Sequence, residues 1–120
     1  MRIFPLDSQG AIMPDLDLLR GTLDLLILKA LTWGPRHGYA VTSWIRETTH
    51  GELEVEDGAL YQALHRLEQR RLVAAEWGLS ENNRKAKYYA LTAGGRRALA
   101  AQTSTWERYA RAVGRVLKEA

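Results

Sequence analysis

A chain of 120 residues, 46% of them hydrophobic, has room for one domain with a modest core. It holds no cysteine, which excludes a disulfide framework, a thiolate metal site and a thiol nucleophile, and which fits a reducing, cytoplasmic setting. A formal charge of +3 permits a polyanionic partner without requiring one. The charge is uneven: residues 1–55 carry five Lys/Arg against seven Asp/Glu, residues 56–95 six against five, and residues 96–120 six against two.

Residues 1–14 contain Pro5, Gly10 and Pro14 and no sustained periodicity, and read as a flexible N-terminal arm. They lack the apolar core of a secretory signal, and no apolar run in the chain approaches the roughly 20 residues of a membrane span. Asp15 or Asp17 then opens a helix across residues 16–33. Leu16, Leu19, Leu23, Leu26 and Ala30 share one stripe, while Leu18, Leu25, Leu28 and Leu31 occupy other faces. A helix apolar nearly all round is buried nearly all round, one side against its own domain and another against a second subunit. Gly34-Pro35 ends it. Residues 37–51 form a second helix with Tyr39, Val41 and Ile45 as core residues and Gly51 at its end. Residues 51–55 lead to the third.

That third helix, residues 56–72, organises the chain. Leu60, Leu64 and Leu67 make its apolar face, with Ala63 at the border and Arg71 on the same stripe. Glu56 or Asp57 is placed to cap its first turn. Gly58, Gln62, His65, Arg66 and Gln69 lie opposite and offer small, amide or basic groups to a polar partner. Residues 73–77 alternate as a strand, residues 78–87 form a turn carrying Arg84, Lys85 and Lys87, and residues 88–92 return as a second strand. Thr92 is suited to N-cap a final helix, in whose first turn Gly94 and Gly95 carry a propensity cost. Along it Leu99, Trp106, Val113 and Ala120 recur every seven residues with Gln102, Tyr109 and Val116 between, while Arg97, Arg108, Arg111, Arg115 and Lys118 lie off that seam.

Helix, turn, helix, then a helix followed by a hairpin with a basic tip is the order of a winged helix-turn-helix. The fold class is therefore mainly α with a small β-hairpin: a flexible arm (1–14), a winged helix-turn-helix (15–92) and a C-terminal dimerisation helix (93–120). The third helix is expected in the major groove of DNA. Gln62, His65, Arg66 and Gln69 are the base readers, since Arg pairs with guanine and Gln with adenine through two hydrogen bonds each. Gly58 and Tyr61 approach the backbone, and Arg84, Lys85 and Lys87 supply wing contacts. A winged-helix protein–protein adaptor without DNA binding is the competing reading. Enzyme chemistry has no carriers: His37, His50 and His65 lack zinc-site spacing, and neither a phosphate loop nor a nucleophile elbow is present, so no cofactor is expected. Of the four tryptophans, Trp77 reads as core. Trp106 on a two-fold seam packs poorly against its own copy, so Trp106, Tyr109 and Gln102, with Trp33 more remotely, are candidates to bind a small aromatic effector.

The segments LLRGTLDLLILKAL (18–31), GPRHGYAV (34–41), GALYQALHRLE (58–68), KAKYYALTAGG (85–95) and the trailing helix together resemble the PadR family of bacterial transcriptional regulators, in its smaller, single-C-terminal-helix class. The resemblance implies a homodimeric winged helix whose last helix crosses to the partner, and repression relieved by small aromatic or amphipathic molecules. Three positions depart from the family pattern. Gln62 stands where a Pro usually follows the Tyr, Arg71 where a Gly usually precedes the first strand, and Ser43 near a usual basic phosphate contact.

Overall fold

The computed structural model describes residues 16–118, with side chains from residue 22 onward. The expected arm lies outside the described residues, as do the side chains of Leu16, Leu18 and Leu19 and the whole of Ala120. The elements run α1 (Leu16–Ala30), β1 (Arg36–His37), α2 (Gly38–Thr48), α3 (Asp57–Gln69), β2 (Val73–Leu79), β3 (Lys85–Leu91) and α4 (Ala93–Lys118).

Leu23, Ile27, Leu28, Ala30 and Leu31 bury one face of α1 against Val41 and Ile45 of α2 and Leu60, Ala63, Leu64 and Leu67 of α3. Removing water from the nine Leu, Ile and Val side chains among these eleven supplies the main driving force, at roughly 1.5–3 kcal/mol for each when fully buried. Ile27 is fully buried although it lies off the expected stripe of α1.

Each of the first helix ends has a local cause. His37 caps α2: its Nδ1 accepts from the Ala40 N–H at 3.1 Å. At the other end of α2 the chain closes a Schellman turn, with the Gly51 N–H donating to the Arg46 carbonyl and the His50 N–H to the Glu47 carbonyl. His50 carries the left-handed φ of 53°, so Gly51 follows the turn's apex. The end of α3 repeats the motif: Leu72 N–H to the Leu67 carbonyl, Arg71 N–H to the Glu68 carbonyl, and Arg71 itself at φ 61°. Leu72 then packs beside the core as this motif favours. Arg71 thus holds the backbone shape that the usual glycine would hold.

The hairpin is part of a three-stranded antiparallel sheet in the order β1-β3-β2. Arg36 and His37 pair with Tyr89 and Tyr88, a bridge too short to be visible in residue alternation. Both long strands extend further than expected, so the tip shrinks to residues 80–84 and takes Lys85 and Lys87 into β3. Val73 and Tyr89 face the core. Thr92 caps α4 as expected, its Oγ1 accepting from the Gly95 N–H at 3.0 Å and donating to the Arg71 carbonyl at 2.8 Å. Gly95 is required by space, since a Cβ there would run into the Leu72 carbonyl oxygen.

Two core expectations are corrected. Tyr39 is 70% exposed, because burial of Gly38, Val41 and Ile45 fixes the rotation of α2 and leaves position 39 on its outer face. Trp77 is 60% exposed: it lies on the outer half of β2, paired with Lys87 and with the Lys85 ammonium 5.0 Å from its ring, not beneath the helices. Ala98 and Leu99 pack on the core, but beyond them Trp106, Tyr109, Val113, Val116 and Leu117 are exposed among the described residues.

Candidate nucleic-acid interface

Burial of Leu60, Ala63, Leu64 and Leu67 fixes the rotation of α3. Gly58, Gln62, His65 and Gln69 are thereby turned outward, and all four are exposed. Nothing lies within 4 Å of the place a Cβ would occupy on Gly58, so the start of this ridge is open to close approach. Glu56 occupies the N-cap of α3 without a side-chain cap bond, and Asp57 supplies negative charge to the first turn.

The flanks of the ridge differ. On one side, the hydroxyl of Tyr61 lies against Gly38 at the start of α2, so closely that a Cβ on Gly38 would collide with the phenol ring. On the other, Arg66 turns toward α1, where its Nη2 donates to Asp24 Oδ1 at 3.1 Å. Of the expected readers, Gln62, His65 and Gln69 share the ridge, whereas Arg66 is tethered at its edge.

The wing is built by its own turn. The Ser80 N–H donates to the Arg84 carbonyl, the Asn83 N–H to the Ser80 carbonyl, both at 2.8 Å, with Asn83 in the left-handed region at φ 60°. The Tyr88 hydroxyl donates to the Leu79 carbonyl at 2.9 Å and stiffens the stem. Lys85 Nζ sits 5.0 Å from the centre of the Trp77 ring, and Lys87 Nζ lies 3.5 Å from Glu68 of α3. Lys87 also approaches the ring of Tyr89, whose hydroxyl pKa is raised by burial, with Lys87 pulling it back down.

Wing and helices enclose an open groove of about 910 Å³. It brings Arg84, Lys85 and Lys87 together with Tyr61, as the sequence led one to expect. It also recruits Arg36, Arg46, Tyr39 and Trp77, which sequence reading missed. Arg36 was legible only through the β1–β3 pairing, and Trp77 only through the length of β2. Ser43 lines the same groove with its Oγ buried and without a hydrogen-bond partner, where a longer basic side chain would have reached outward.

The candidate effector residues fall in two places within one chain. Trp106 and Tyr109 pair at 6.4 Å between ring centres, 39% and 62% exposed, with Gln102 one turn earlier. Trp33 instead packs on Trp44 at 5.5 Å, with Lys29 Nζ 5.1 Å from its ring centre.

Residues 27–101 match the model of the transcriptional regulator PadR-like family. Among solved structures, a transcriptional regulator from Clostridium thermocellum superposes with a TM-score of 0.75 at 27% identity, covering 82% of this chain and 96% of that one. A PadR family transcriptional regulator from Eggerthella lenta gives 0.70 at 35% identity, covering 85% and 87%. Bacillus subtilis PadR in complex with operator DNA gives 0.60 at 24% identity, covering 69% of this chain and 46% of that longer one.

Proposed function

The chain belongs to the PadR-like family of transcriptional regulators, and from that premise we propose that it binds duplex DNA through α3 and the wing as a homodimer. The observation that carries the reading is the outward ridge of Gly58, Gln62, His65 and Gln69 beside a groove holding five cationic side chains, Arg36, Arg46, Arg84, Lys85 and Lys87. The ridge suits base edges in a major groove, and the basic groove suits the phosphate strand beside it. The structure of the Bacillus subtilis relative with operator DNA supports the same use of the fold.

In this reading residues 15–92 are the DNA-binding unit, residues 93–120 the dimerisation helix and residues 1–14 an arm outside both. The regulator is a cytoplasmic repressor with no enzymatic activity, and a small aromatic effector at the seam around Trp106 releases it. The exposed apolar side of α4 supports the dimer, since it has no cover among the described residues. Among the described residues no helix is long and apolar enough to cross a membrane.

Titration with duplex DNA at several salt concentrations tests the core of the proposal. Each phosphate neutralised contributes on the order of one unit to the log–log slope, so a slope of several units is expected. Salt-independent or absent binding across a random-sequence duplex pool would leave the adaptor reading in its place.

A further inference from the structure

Asp24 links α1 to the DNA-facing helix across 42 positions of sequence. Its neighbours Leu23, Ile27 and Leu28 are buried in the core, so the carboxylate stands on a rigid post. Oδ1 accepts from Arg66 Nη2 at 3.1 Å, and Oδ2 lies 3.9 Å from Arg70 Nη1. The Asp24 side chain is 20% exposed, against 46% and 56% for the two arginines. Arg66 and Arg70 sit one turn apart, where like charges repel. One carboxylate between them offsets that repulsion and holds the Arg66 side chain in one arrangement.

We propose that Asp24 is a positioning residue that sets Arg66 for reading guanine; this rests on the DNA-reading role of α3 given above. Asp24 takes one Nη2 hydrogen, so the second Nη2 hydrogen still makes a parallel fork with a neighbouring guanidinium N–H, and guanine takes two donors at O6 and N7. The strengths are ordered suitably. An exposed ion pair shifts an equilibrium by no more than about fivefold. A bidentate base contact is worth from about fivefold to over a hundredfold. Asp24 therefore orders the long side chain before DNA arrives, which reduces the ordering cost on binding, and it does not outcompete guanine.

The sign of the effect separates this role from plain charge. A carboxylate near DNA repels phosphate, so on charge alone its removal strengthens binding to every sequence. Positioning predicts weaker binding to the preferred sequence alone. The probes are a duplex selected from a random pool by the wild-type protein and its scrambled counterpart, at one salt concentration. Asp24→Asn is expected to weaken the selected duplex by up to about fivefold, with the scrambled one unchanged or tighter. Arg66→Ala lowers the same ratio, and adding Asp24→Asn to it changes the ratio no further. Arg66→Lys, which keeps the charge and loses the fork, also lowers it and serves if Asp24→Asn melts early. If Asp24→Asn tightens both duplexes alike, the positioning role is overturned while the α3 reading stands. If Arg66→Ala or Arg66→Lys keeps the ratio, Arg66 is not a reader and the inference falls with that assignment.

Discussion

Arg71 holds a left-handed backbone that glycine adopts at little cost, and it does so because the Schellman turn at the end of α3 demands it. For a residue with a Cβ this conformation costs about 1–2 kcal/mol, and glycine loses about 0.5–1 kcal/mol more backbone entropy on folding. Arg71→Gly should therefore stabilise the fold by about 0.5–1 kcal/mol in denaturant unfolding; a loss of stability would mean that the Arg71 side chain does more than occupy the turn. Gly58 is the converse case, since folding makes no demand on it: the space around it is empty. Alanine is the better helix former by about 0.5–1 kcal/mol in a helix interior, and by less in this first turn. Gly58→Ala should leave the melting temperature equal or higher while weakening DNA binding several-fold, by holding the duplex off the ridge. Unchanged affinity would remove Gly58 from the interface.

At the scale of elements, the wing is the part most open to test. Arg84 is exposed at the tip, Lys85 leans on Trp77, and Lys87 is drawn toward Glu68. Lys87 is thus partly committed within the chain, and exposed pairs of that kind contribute only about 0–1 kcal/mol. Changing Arg84, Lys85 and Lys87 to Gln should weaken binding to all duplexes alike and lower the salt slope by two to three units, on the order of one per lost contact. A slope equal to that of the wild type would make the wing a purely structural hairpin. The elements themselves were legible where one periodicity dominated. Leu60, Leu64 and Leu67 set α3 and its outward ridge, and the hydroxyl of Thr92 marked the start of α4. What escaped depended on partners distant in sequence. Two residues of β1 form a strand only because Tyr88 and Tyr89 lie beside them. Tyr39 looked like core by spacing, but burial of Gly38, Val41 and Ile45 turns it into the groove. Arg66 looked like a free reader by its place on a helical wheel, and no local pattern could reveal Asp24.

At the scale of the whole molecule, α4 reaches past the domain and leaves Tyr109, Val116 and Leu117 more than 60% exposed. A second copy is the expected cover, and the wild-type chain should sediment as a dimer at micromolar concentration, with Val113→Arg plus Val116→Arg shifting it to monomer. A two-fold pair would read inverted half-sites roughly one helical turn apart, and a wild-type monomer would undo that geometry. The same seam is where an effector would act. In such a pair Trp106 at an a-type position would meet its own copy across the axis, and two indoles with Tyr109 beside them at 6.4 Å would be hard to pack without leaving space. Tyr109 also borders a shallow hollow with Arg108, Arg111 and Arg115, whose charge favours a planar anion over a planar cation. A molecule held there touches both subunits and so biases the separation of the two α3 helices, which half-site spacing fixes. To release DNA it must bind the off-DNA spacing more tightly, and DNA must then weaken the molecule by the same factor. Titrating phenolic acids and planar aromatic cations against tryptophan fluorescence should show quenching, stronger for the acids, that is lost in Trp106→Phe and is accompanied by weaker DNA binding. Quenching that persists in Trp106→Phe points to Trp33 and Trp44 instead, and quenching that leaves DNA affinity unchanged separates the seam from regulation altogether.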